Sequence, residues 1–160
     1  MLPAKSFYMI RHGESEANAA RITAGGQFDS PLTNRGEGQA RALAACIGEL
    51  KTLPEVIYHS DMKRARRTAE LLNEALNLEM HELHELREHD LGEWDGQPWE
   101  DILPLVEAHQ SPQGGESVNQ FAQRIQATLT DILEKEDQRV MIVAHGGLFH
   151  AMGFLYEYGI

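Results

Sequence analysis

The chain has 160 residues, 42% hydrophobic and 24% charged, with a formal net charge of −11. These values suit a globular protein with one real core, so a single domain over residues 1–160 is expected. They argue against nucleic acid or an anionic membrane as main partner, and no run reaches the roughly 20 apolar residues of a membrane helix.

The first residues, MLPAKSFYMI, lack the long apolar stretch and cleavage site of a signal peptide, which points to a cytoplasmic protein. Lys5 to Arg11 then reads as a short buried strand that stops at Arg11, His12 and Gly13. Thr33 is placed to cap a helix from Asn34, whose expected buried face is Ala40, Leu43, Ala44, Ile47 and Leu50. Cys46 lies in that helical pattern; alone in the chain, it permits no internal disulfide and is expected to pack inertly in a reducing compartment. A second strand, EVIYHS, precedes Asp61, a candidate cap for a helix burying Ala65, Ala69, Leu72 and Leu76. Leu78 to Leu83 alternates as a third strand. Arg87 to Gln97 reads as a loop, with Trp94 and Trp99 either packed beneath it or bordering a substrate. Pro98 suits the first turn of a short helix. A longer helix is predicted from about Ser117 to Leu133, then the clearest strand, RVMIVA, and a final apolar helix.

Strands alternating with helices predict an α/β fold of three layers, a largely parallel sheet covered by helices on both faces. In such sheets ligands bind beyond the carboxyl ends of the strands. That rule gathers Arg11 and His12, Ser60 to Arg64, Glu88, and His145 at one rim. Two arginines and glycine-relieved backbone amides suit a phosphate. A neutral imidazole beside it can attack phosphorus, and a carboxylic acid can protonate the departing oxygen. A second histidine can stabilise the transition-state charge.

The ordered motifs RHGES with Asn18, GQFDSPLTNRGEGQA, SDMKRARRTA, LREHDLGEWDG, GGES and VAHGG resemble the histidine phosphatase superfamily, in the branch containing cofactor-dependent phosphoglycerate mutase. The resemblance spans residues 8 to 147 and implies a phosphoglycerate mutase-like fold. It implies that His12 is the phosphorylated nucleophile and Glu88 the acid and base. It further implies that Arg11, Asn18, Arg64, His145 and Gly146 form the phosphate pocket, with Gly26 and Gln27 approaching the substrate. Glu116 and Ser117 match the GES element, read as a helix start near the pocket. Neither metal nor other cofactor is implied, since the arginines and His145 supply the positive charge. His12 has to attack as a neutral base and Glu88 to begin as an acid, which sets the expected optimum at mildly acidic to neutral pH.

The expected activity is metal-independent hydrolysis of a small phosphorylated substrate through a phosphohistidine. The alternatives are a phosphoglycerate mutase and a catalytically silent phosphate-binding protein. Mutases of the family are longer and usually carry tryptophan where this chain has Ala17, which favours the phosphatase. The run HELHELREHD invites a metal reading through His81, His84 and His89, but its spacing is not HExxH and a strand would set the first two apart. Family members usually continue through a further strand, whereas this chain stops 15 residues after His145, so that strand is expected to be missing. The apolar ending LFHAMGFLY suggests a homodimer.

Overall fold

A computed structural model describes residues 2–158, and side chains of the last helix through Gly153. The apolar side chains beyond Gly153, on which the dimer expectation partly rests, lie outside the described residues. Four strands, β1 (Tyr8–Arg11), β2 (Val56–Ser60), β3 (Glu79–Leu83) and β4 (Val140–Ala144), pair in the order β1-β4-β2-β3, all parallel. The helices are α1 (Glu16–Ala20), α2 (Asn34–Ile47), α3 (Lys63–Leu76), α4 (Trp99–Glu107), α5 (Val118–Lys135) and α6 (Gly146–Tyr158). Among the described residues no helix is long and apolar enough to cross a membrane.

Strand β4 shows why the sheet is covered twice. All five of its residues are buried, and successive side chains point to opposite faces. Val140, Ile142 and Ala144 join Phe121, Ile125 and Leu129 of α5 and Leu148 of α6. Met141 and Val143 join Ile47 of α2 and Ala69 and Leu72 of α3. The core is thus two apolar layers separated by the sheet, the three-layer arrangement expected. A third cluster, Leu91, Trp94 and Ile102, sits between the loop after β3 and α4. Arg11 pairs with Ala144, and His59 with Val143, so the strands end together on one rim.

Several local expectations need correction. Asp61 does not cap α3: its carboxylate takes Arg87 at 2.6 and 2.9 Å, and His84 at 3.1 Å. The N-cap position is Met62, and the nearby Lys63 amide donates instead to Asp29 at 2.9 Å, an acid from a distant loop. Leu43 and Cys46 are exposed, because α2 turns only a narrow stripe of Ala40, Ala44 and Ile47 inward. Helix α1 was not foreseen: Ser15 and Asn18 close a capping box around a single turn.

Candidate active site

Strand β1 delivers His12 to the rim, where its amide still donates to Ala144 O at 2.9 Å. The ring is buried, and Nδ1 lies 2.6 Å from the Gly13 carbonyl, an acceptor that requires the proton to sit on Nδ1. Nε2 is therefore the lone-pair nitrogen, and it accepts from Arg64 Nε at 3.2 Å. Burial pushes the imidazole down to about 3, with Arg64 and Arg11 adding to the effect and the Gly13 carbonyl opposing it. His12 is neutral over the physiological range. Gly13 also needs its missing side chain, since a Cβ there would overlap the Gly36 carbonyl of α2.

Arg64, in the first turn of α3, is almost wholly buried. Its terminal nitrogens donate to Phe28 O at 3.0 Å and Ala24 O at 2.9 Å, which fixes the plane of the guanidinium. His145 follows β4 and packs edge-on to His12, with ring centroids 5.2 Å apart. Its Nε2 meets the Ser60 hydroxyl at 2.9 Å, while its buried Nδ1 has no partner among the described residues. Burial, then the charges of Arg64 and its neighbours, hold His145 well below the usual histidine range. Arg11 is exposed at the mouth, against Gly146.

Glu88 is held by two backbone amides: His89 N donates to Oε1 at 2.9 Å and Gly147 N to Oε2 at 3.0 Å. The loop carrying it is clamped by α5. Arg124 donates to the carbonyls of Glu85, Arg87 and Glu88 at 2.8 to 3.2 Å, and forks onto Glu116 at 2.7 and 2.6 Å. Glu116 also accepts from Asp90 N at 3.0 Å. Burial would raise the Glu116 carboxyl, but the Arg124 fork outweighs it and holds the group below its ordinary range. His89 stacks on Phe121 at 4.9 Å, closing the clamp.

The comparison with known proteins matches residues 7–155 to the model of the histidine phosphatase superfamily, branch 1. The chain belongs to that family. It is 35% identical to a metal-independent phosphoserine phosphatase of Arabidopsis thaliana, over 90% of this chain and 65% of that protein. It is 32% identical to a glucosyl-3-phosphoglycerate phosphatase of Mycobacterium tuberculosis, over 93% of this chain and 74% of the relative. The native structure of the mycobacterial glucosyl-3-phosphoglycerate phosphatase superposes with a TM-score of 0.79 at 32% identity, over 92% of this chain and 76% of that one.

Within this histidine phosphatase fold, Arg11, His12, Asn18, Glu88, Gly146 and Gly147 line one cavity of about 1250 Å³. Arg64 and His145 are in contact with His12 but buried outside the lining. Asn18 spends its side-chain oxygen on the Ser15 amide. Gly26 and Gln27 do not line the cavity: Gly26 is buried against the Glu88 carbonyl, and the Gln27 amide donates to Asp90 at 2.7 Å. Thr23 and Ala24 stand there in their place. His81 packs on Tyr58 and His84 on Asp61, away from His89. Among the described residues no group of three or more His, Cys, Asp or Glu is arranged to hold a metal ion.

The sequence reading brought Ser60 to the rim without a role of its own, and missed Thr68 and Arg124. Thr68 accepts from Gly13 N at 3.1 Å and donates to Arg64 O at 2.8 Å, tying the turn after His12 to the helix of Arg64. Arg124 had one legible signal, its place three residues after Phe121 and therefore on the apolar side of α5.

Proposed function

We propose that this chain is a phosphomonoesterase working through a phosphohistidine on His12. The observation that carries the reading is a neutral imidazole, locked by the Gly13 carbonyl, whose Nε2 faces the Arg64 guanidinium. In the first step Nε2 gives up its bond from Arg64 and attacks phosphorus. The phosphorus–ester oxygen bond breaks, and Glu88 gives its proton to the departing oxygen. Arg64 Nε then donates to a phosphoryl oxygen, with Arg11 at the open side. His145 serves as a neutral donor to the phosphoryl group when the Ser60 hydroxyl donates to its Nε2 and leaves the proton on Nδ1.

In the second step the Glu88 carboxylate takes a proton from water. The water oxygen attacks phosphorus, the N–P bond breaks, and inorganic phosphate leaves with His12 neutral again. Charge neutralisation falls to the arginines, so the steps call for no metal.

The test is a chromogenic aryl phosphate without added metal, quenched in alkali to preserve an acid-labile phosphoenzyme, for the chain and for His12→Ala. Turnover and label are expected in the first and absent from the second. Label with negligible turnover would favour the mutase. Neither, in a chain folded by circular dichroism, would overturn the phosphohistidine reading.

A further inference from the structure

Six large apolar side chains are exposed among the described residues, and three of them, Trp99, Leu103 and Phe149, line the cavity that holds His12. Leu91, Val106 and Val118 continue that lining, so α4, α5 and α6 all turn apolar surface towards it. The charges there point the same way. Among the described residues, Arg21, 4.0 Å from Glu100, is the one lining arginine besides Arg11, and no lysine lines the cavity. The other ionisable nitrogen groups in the lining are histidines. The lining carboxyl groups are Glu14, paired with Arg35 at 3.1 Å, Glu88 and Glu107.

Resting on the phosphatase reading, we infer that the leaving group is an uncharged, largely apolar alcohol or phenol, not a carboxylated one. Arg11 and Arg64 are committed to the phosphoryl group, so a second anionic group on the substrate would enter a largely apolar space whose one other described arginine, Arg21, already stands beside Glu100. An aromatic or alicyclic group would instead cover Trp99, Leu103 and Phe149, and remove that surface from water. Two of the family relatives above are named for carboxylated substrates, phosphoserine and glucosyl-3-phosphoglycerate. The cavity of this chain selects differently.

Benzyl phosphate and 4-carboxybenzyl phosphate test this, because the two leaving alcohols differ little in reactivity and one carries the extra charge. The kcat/KM for the benzyl ester is expected to be at least about tenfold higher, mostly through KM. Leu103→Lys, at an exposed position, is expected to bring the two esters within about threefold of each other by improving the carboxylated one. Equal rates, or preference for the carboxylated ester by the unaltered chain, would overturn this inference and leave the phosphatase reading standing. Failure of the folded chain to hydrolyse either ester or to form a phosphoenzyme would overturn both.

Discussion

Gly147 decides where the carboxyl of Glu88, the proposed acid, sits. Its amide donates to Glu88 Oε2, and a Cβ at that position would overlap Glu88 Oε1 and approach the Phe121 ring to 3.2 Å. Gly147→Ala is expected to lower kcat by about a hundredfold, the cost of displacing a catalytic group by roughly an ångström. Single-turnover assays would check it. Gly38→Ala is the control: nothing lies within 4 Å of a Cβ there, on the exposed side of α2. That change is expected to leave turnover intact and to stabilise the chain by up to about 1 kcal/mol, read from urea unfolding. Both glycines look alike in sequence, since only the neighbour a side chain would strike tells them apart.

Helix α5 holds the loop that carries Glu88. Ser117 starts the helix through a capping box with Gln120, and its apolar stripe seats it on the sheet. That places Arg124 beneath three carbonyls of the loop preceding and including Glu88, with Glu116 completing the fork. A lysine cannot reproduce five donors in one plane. Arg124→Lys is therefore expected to lower kcat by about tenfold while changing KM for an aryl phosphate less than threefold. Equal losses in both would mean that the clamp shapes binding and not the acid's position. Glu116 and Ser117 were legible as a helix start. The clamp was not, because the carbonyls it grips come from a segment nearly forty residues earlier.

Across the whole molecule, burying two neutral histidines couples stability to pH. A histidine in the unfolded chain titrates near 6.5, whereas His12 folded holds off protonation until about 3, and His145 is shifted the same way. Between those values the unfolded chain binds more protons. Their contribution is complete above 6.5 and is lost as pH falls towards 3. The melting temperature is expected to decline already between pH 6.5 and 4.5, before the ion-paired carboxylates of Glu116 and Asp61 are more than half-protonated in the unfolded chain. His12→Asn should flatten that decline, and scanning calorimetry across the range would show it. A melting temperature constant to pH 4.5 would contradict a neutral buried His12.

What the sequence determined by itself was the succession of strands and helices along the chain apart from α1, the three-layer class and the family. Hydrophobic periodicity and the ordered motifs are local properties, readable wherever a strand such as VMIVA runs into His145. It also named the groups around His12, because parallel strands bring their carboxyl ends to one rim. Tertiary structure alone decided how those groups are held. Asp61 left its helix for Arg87, Asp29 came from another loop to the start of α3, and Gln27 turned from the cavity to Asp90. Arg124 gripped the loop of Glu88 from a helix that sequence shows only as an amphipathic stripe. A charged side chain takes the partner that geometry brings within about 3 Å, and that distance depends on how the layers pack.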